Sequence, residues 1–215
     1  MSPQLRPNRR TFLRIGSPML ASCLLAACNR RFSRQEGSAS RQAAQAQGLT
    51  PTPSCGDDEL TPSQTAGPFY TANSPERSSL IEPGMAGTHL ILTGQVLSTQ
   101  CEAIANAKLD FWHTDNDGQY DNQSYTLRGH QFTDVEGRYW LETIVPGIYP
   151  GRTRHLHVRV KPPNQAGLTT QLYFPDEPLN QRDFLFQPEL LMVMQAQSSG
   201  NSDQQAQFDC VLTSL

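Results

Sequence analysis

From His89 onward the chain alternates apolar and polar residues in short runs set between turns, the period of half-buried β-strands. Residues 89–97 are rich in β-formers around Gly94. Residues 107–113 place Leu109, Phe111 and His113 on one face. Residues 137–144 form another candidate strand, entered through the turn Asp134-Val135-Glu136-Gly137. Residues 154–160 alternate most cleanly, with Leu156, Val158 and Val160 opposing His155, His157 and Arg159. Residues 170–174 and 207–213 complete the set. No segment carries a convincing long amphipathic helix, and sixteen prolines and fifteen glycines supply many turns. The pattern predicts an all-β fold, a single antiparallel β-sandwich domain over residues 58–215.

The residues ahead of that domain read differently. Asn8-Arg9-Arg10-Thr11-Phe12-Leu13-Arg14 precedes an apolar stretch at 15–27 and resembles a twin-arginine export signal. The stretch is well short of the ~20 apolar residues that a membrane-spanning helix needs. It ends Leu25-Ala26-Ala27-Cys28, which resembles a bacterial lipobox with Cys28 as the lipidated new N-terminus. Residues 1–27 are therefore expected to be a signal peptide, and residues 28–57, polar and rich in Arg, Gln, Ser and Ala, a flexible linker. The protein is expected to be exported, either held to a membrane through Cys28 or periplasmic.

Removing 27 of 215 residues leaves 188, enough for one domain with a substantial core. The removed segment holds Arg6, Arg9, Arg10 and Arg14 and no acids, so the net charge of −3 becomes about −7. An acidic chain without a basic cluster in its domain argues against nucleic-acid binding. Cys55, Cys101 and Cys210 remain for an oxidising compartment. Three is odd, so at most one pair forms and one thiol is left over, and arithmetic does not say which two pair.

The chemistry is carried by a constellation. His155 and His157, at i and i+2 of a strand, can meet one ion. Alone, such a pair also fits a polar surface. Upstream, Pro146-Gly147-Ile148-Tyr149-Pro150 sets a tyrosine in a tight turn, and Trp112-His113-Thr114-Asp115-Asn116-Asp117-Gly118-Gln119-Tyr120 sets a second in a loop. Asp115 and Asp117 read as residues that shape that loop through side-chain-to-backbone bonds. His89, His113 and His130 read as structural or exposed. Two imidazoles and two phenols suit a hard, highly charged metal, because phenolate oxygen is a hard donor that favours a ferric over a ferrous ion.

In this order the motifs resemble the intradiol ring-cleavage dioxygenases. Thr65-Ala66-Gly67-Pro68-Phe69-Tyr70 resembles the family's T-x-G-P-F-Y segment, and Gln171-Leu172-Tyr173-Phe174-Pro175 its strand after the histidines. Gly94-Gln95-Val96, followed by residues 107–112, resembles its first strand pair, and Phe208-Asp209-Cys210-Val211-Leu212 its closing segment. The resemblance implies Fe(3+) held by Tyr120, Tyr149, His155 and His157. It also implies Arg152 as an active-site arginine, Gln171 as a glutamine beside the substrate, and Tyr149 as a ligand that leaves the metal and takes a substrate proton. The substrate would be a catechol-type aromatic compound, cleaved with O2 between its two hydroxyl carbons.

The chain departs from the family in two places. Only residues 150–154 separate the second tyrosine from the first histidine, and Thr153 follows Arg152 where the family often has proline. By strand alternation Arg154 faces away from the metal, which predicts a surface role. Without the helical domain of the catechol-specific branch, the chain looks closer to the short, protocatechuate-like branch. Two alternatives stay open: a lipid-anchored β-sandwich that binds iron or an aromatic compound without turnover, and a zinc hydrolase built on His155 and His157. The latter lacks an evident third nitrogen, sulfur or carboxylate ligand.

Overall fold

The structure, a computed structural model, describes Cys55 and residues 60–195 and 203–213. The export signal, Cys28 and all of the linker but Cys55 lie outside the described residues. Among the described residues the regular elements are β-strands and two single-turn 3-10 helices. The strands are β1 (His89–Ser98), β2 (Lys108–Trp112), β3 (Arg128–Phe132), β4 (Arg138–Ile144), β5 (His155–Lys161), β6 (Leu168–Tyr173), β7 (Val193–Met194), β8 (Gln204–Gln207) and β9 (Cys210–Leu212).

Two sheets face each other. One runs β3-β2-β5-β6 and is antiparallel throughout. The other runs β4-β1-β8-β7, with β9 also paired to β1. Here the expected antiparallel order holds for β1–β4 and β7–β8, while β8 and β9 run parallel to β1. The break between β8 and β9 sits against Gly94. A Cβ there would lie 1.7 Å from the Phe208 carbonyl oxygen, so only glycine lets the returning chain cross. The Asp209 carboxylate then takes the Gln95 N–H (2.6 Å) that the interrupted ladder leaves over.

The core fills the space between the sheets. Leu90, Leu92 and Val96 of β1 and Leu141 of β4 meet Leu109 and Phe111 of β2, Leu156, Val158 and Val160 of β5, and Leu172 of β6. Phe111 and Tyr139 touch across the gap with ring centroids 5.8 Å apart. The strand carrying His155 and His157 thus spends its apolar face on the core and keeps its polar face outward. That outer face is nonetheless buried at its first residues, because the segment before β1 lies along β6. Gln64 N–H donates to Thr169 O (2.7 Å), and Thr170 Oγ1 donates to Pro62 O (2.7 Å). Cys55 is disulfide-bonded to Cys101, and Cys210 is a free, buried thiol whose pKa burial pushes up.

Candidate metal centre

The site begins as one row across the antiparallel sheet. Register pairs Arg128 with Trp112, Trp112 with His157, and His157 with Gln171. Paired residues point to the same face, so these four side chains share the outer face. The neighbouring row pairs His155 with Tyr173. Trp112 lies flat on His157, with centroids 4.7 Å apart and planes 6° apart. Both rings are almost fully buried.

His155 and His157 differ in how their outer nitrogens are held. His155 Nδ1–H donates to Thr153 O (2.7 Å). A carbonyl only accepts, so the proton sits on Nδ1 and Nε2 presents a lone pair. His157 Nδ1 is buried without a hydrogen-bond partner, and the Trp112 face orients its ring instead. Burial lowers the pKa of His155 to about 4 and that of His157 well below its ordinary value. Both rings are therefore neutral at neutral pH, with nitrogens free to coordinate.

Both Nε2 atoms converge on one phenol. Tyr120 Oη lies 3.3 Å from His155 Nε2 and 3.1 Å from His157 Nε2. Its loop is shaped by Asp115 as expected: Oδ1 accepts from Asp117 N (3.0 Å) and Gln119 N (2.8 Å). Burial raises the Tyr120 pKa, with the charges of Arg152 and Arg128 pulling the other way. Tyr149 joins by ring contact, its centroid 5.7 Å from that of Tyr120 and 5.5 Å from that of Phe69. It is half-buried, and its Oη makes no hydrogen bond among the described residues.

The two tyrosine segments meet through glycine. A Cβ on Gly147 would fall 2.3 Å from Gly118 N and 2.5 Å from Asn116 O. Gly147 N–H donates to Asp115 O (2.7 Å), which ties the turn to the loop.

Arg152 closes the other side. Its Nη2 donates to Gln171 Oε1 (2.6 Å) and its Nε to Asp183 Oδ2 (2.9 Å). Asp183 also accepts from Thr153 N (2.8 Å) and Leu185 N (2.9 Å). Gln171 is oriented in turn by donating to Thr65 O (3.1 Å), and Tyr173 Oη donates to Gln64 Oε1 (2.7 Å). Sequence reasoning missed Asp183, Tyr173 and Arg128 as parts of this frame. Arg154, expected at the surface, is part-buried: it pairs with Glu177 (2.5 Å) and donates to Pro146 O, which anchors the start of the Tyr149 turn. A cleft of about 540 Å³ lined by Asn116, Arg154, Phe174 and Glu177, among others, includes none of the sequence-assigned site residues.

His113 is structural. Its Nδ1–H donates to Thr114 O (2.7 Å) and its Nε2 accepts from Thr143 Oγ1 (2.6 Å). Among the described residues no group of three or more His, Cys, Asp or Glu side chains gathers around a point, so the zinc alternative finds no third ligand of those types.

A dioxygenase family model matches residues 65–214, which takes in Tyr120, Tyr149, Arg152, His155, His157 and Gln171. The chain belongs to the intradiol ring-cleavage dioxygenase family. The dioxygenase domain of a dioxygenase–carbohydrate-binding fusion from Streptomyces sp. SirexAA-E is 44% identical, with a TM-score of 0.69 over 72% of this chain and 99% of that one. A hydroxyquinol 1,2-dioxygenase from Rhizobium sp. (strain MTP-10005) is 29% identical over 58% of this chain and 51% of its own length. A catechol 1,2-dioxygenase from Acinetobacter guillouiae is 29% identical over 59% of this chain and 50% of its own length. The chain spans about half the length of these curated relatives. As a family member it carries both sheets and both tyrosine-bearing segments within the matched region.

Proposed function

We propose that this chain is an exported non-haem ferric dioxygenase. It opens the ring of a catechol-type substrate between the two hydroxyl-bearing carbons and adds both atoms of O2 to give a muconate-type diacid. The observation that carries the reading is the convergence of two neutral histidine Nε2 atoms on Tyr120 Oη, with the Tyr149 ring alongside. The donor set fits a hard trivalent cation. Two imidazoles bring no charge, and two phenols become hard anions only beside a strong positive charge, since burial otherwise holds Tyr120 protonated. Tyr120, Tyr149, His155 and His157 would hold the iron. When bound, the ferric ion supplies a Lewis acid that draws electron density from the diol and primes the ring for O2.

The chain's own residues do the rest. Tyr149 is the mobile partner: half-buried and free of hydrogen bonds at Oη, it can swing out and take a proton from the incoming diol. Tyr120, wedged between Phe69 and the histidines, stays. Arg152 presents its Nη1, which has no protein partner among the described residues, to negative charge developing on the substrate. Gln171 orients the same guanidinium. The proposal includes export through residues 1–27 and anchoring through Cys28, to be read by membrane fractionation of Cys28→Ser.

The test is metal analysis and a visible spectrum of protein purified from a signal-free form, followed by oxygen uptake with a panel of catechols. Ferric iron with a phenolate-to-metal band is expected, and Tyr120→Phe or Tyr149→Phe should shift or remove it. A coloured double variant with an unshifted band refutes the ligand set. Bound iron without oxygen uptake for any catechol supports the binding-module reading instead.

A further inference from the structure

We propose that Arg128 is the positioning residue of the Tyr120 side of the site, through two backbone carbonyls rather than through any contact with metal or substrate. The proposal rests on the site reading above.

Arg128 is 1% exposed, and among the described residues it forms no ion pair with a carboxylate. A buried guanidinium without a counter-ion is costly unless its donors are fully used. Here all three nitrogens donate, to two carbonyl oxygens. Nε and Nη2 both donate to Asp121 O (3.1 and 2.6 Å), and Nη1 donates to Phe69 O (2.6 Å). Asp121 directly follows Tyr120. Phe69 is the residue whose ring stacks on Tyr120, with centroids 4.5 Å apart and planes 18° apart. One cation thus ties together two segments that are far apart in the chain and whose rings are neighbours in the site.

The geometry leaves Tyr120 between two tethers. On its N-terminal side, Gln119 N donates to Asp115 Oδ1 (2.8 Å). On its C-terminal side, the Asp121 carbonyl is held by the Arg128 fork. The Asp121 side chain then organises the rest of the loop, accepting from Gln123 N (2.8 Å), Ser124 N (2.9 Å) and Thr126 N (2.9 Å). Arg128 is itself held firmly. It sits in the cross-strand row beside Trp112, and its carbonyl accepts from Arg77 Nε (3.0 Å). Arg77 Nη2 also donates to Tyr125 O, so the turn into β3 is fixed from outside. The preceding Leu127 is buried at φ 54°, a left-handed conformation that an ordinary residue keeps only when its surroundings demand it. A lysine could keep the charge but not the fork, which needs a planar guanidinium to reach both carbonyls.

Arg128→Lys and Arg128→Met test this, with Tyr139→Phe as a control. That control removes a buried hydrogen bond to Phe208 O (2.6 Å) in the opposite sheet. The first measurement uses metal-free protein: hydrogen exchange of the amides of Gln119, Gln123, Ser124 and Thr126. Both Arg128 variants should exchange these at least tenfold faster, with Arg128→Met the larger, while β1 and β4 keep their protection. The second uses the iron-loaded protein: release to a chelator should speed at least tenfold, with a shifted phenolate band. Tyr139→Phe should lower the thermal midpoint and leave both readouts unchanged. Should neither Arg128 variant fold, Arg77→Lys loosens the same lever more gently and should move the exchange readout in the same direction. Wild-type exchange in this loop in the folded variants overturns the proposal. So does a Tyr139→Phe control that moves with them, since the effect is then general destabilisation. If wild-type protein binds no iron, the dioxygenase reading fails while the exchange measurement still decides the role of Arg128.

Discussion

Asp183→Asn should weaken both the fold and the chemistry, and by amounts the structure allows to be worked out. The Asp183 side chain is 1% exposed and that of Arg152 15%. Oδ2 accepts from Arg152 Nε (2.9 Å) and Thr153 N (2.8 Å), while Oδ1 accepts from Leu185 N (2.9 Å). Asparagine preserves the shape and keeps one accepting oxygen, which serves best at the Oδ2 position, so the change removes the charge and leaves the Leu185 N–H facing an NH2 group. Hydrogen bonds to charged groups are worth about 1.5–3 kcal/mol and neutral ones about 1, so one lost bond and two weakened ones together cost about 3 kcal/mol. That agrees with the roughly 3–5 kcal/mol seen when one partner of a buried pair is removed. At about 2–4 °C per kcal/mol for a domain of this size, the thermal midpoint should fall by roughly 6–12 °C. Arg152 would keep its Gln171 contact while the clamp that aims it weakens, and kcat should fall by roughly tenfold to a hundredfold, below the full loss of an electrostatic donor. Thermal unfolding and oxygen-uptake kinetics read the two effects separately. A midpoint within 2 °C of wild type with unchanged kcat would refute the claim that Asp183 aims Arg152.

Three further outcomes are expected. Metal-free protein should lose stability as pH falls from about 6.5 to 4. The pKa of both His113 and His155 is held down to about 4 by burial, so in that window the unfolded chain binds protons that the folded chain refuses. Denaturant midpoints across that range check this, and His113→Gln should flatten the fall. Gly147→Ala, with a Cβ 2.3 Å from Gly118 N, forces the Tyr120 and Tyr149 segments apart; about 1–3 kcal/mol of stability should go and iron should be retained less well, as thermal unfolding and chelator competition would read. Cys55→Ser, which opens a loop of 46 residues, should cost about 4 kcal/mol on chain-entropy grounds, and added reductant should reproduce the shift in wild type but not in the variant.

What was legible in the sequence follows from which interactions leave a period. The strand of His155 and His157 was plain because alternation is a local property, and the structure moves it by only one residue. The Asp115 loop was plain because Asp side chains cap turns at short, fixed offsets. β3 was missed because Arg-Gly-His-Gln-Phe has no apolar alternation: its outer face is given to Arg128, and Gly129 makes room for Arg77 and Leu80. The parallel pairing of β8 and β9 was missed because partners from opposite ends of the chain leave no local trace, although Gly94 in mid-strand was a usable signal for a close backbone crossing. The disulfide partner could not come from counting cysteines. Arg128 and Asp183 were silent for a different reason. Each is a single charge whose bonds go largely to backbone groups, Asp121 and Phe69 carbonyls for Arg128 and Thr153 and Leu185 amides for Asp183, and backbone groups carry no residue identity to read.

The same division explains why the site is stiff on one side and loose on the other. Its histidines sit on a central strand, with backbones in two ladders, inner neighbours in the core, and rings fixed by a carbonyl and by an indole face. Its tyrosines sit on loops and must be held by other means. Tyr120 gains that hold from a buried guanidinium and a stacked ring. The Tyr149 backbone is tied down, with Arg152 N donating to its carbonyl (3.0 Å), but its side chain has ring contacts alone. The proposed reaction, in which one tyrosine would give way to the substrate, suits such unequal anchoring. Were all four proposed ligands clamped equally, that exchange would break a well-made contact; were none, the proposed iron would be poorly retained. The order of anchoring therefore predicts the order of release: Tyr149 first, with Tyr120 and the histidines staying in place.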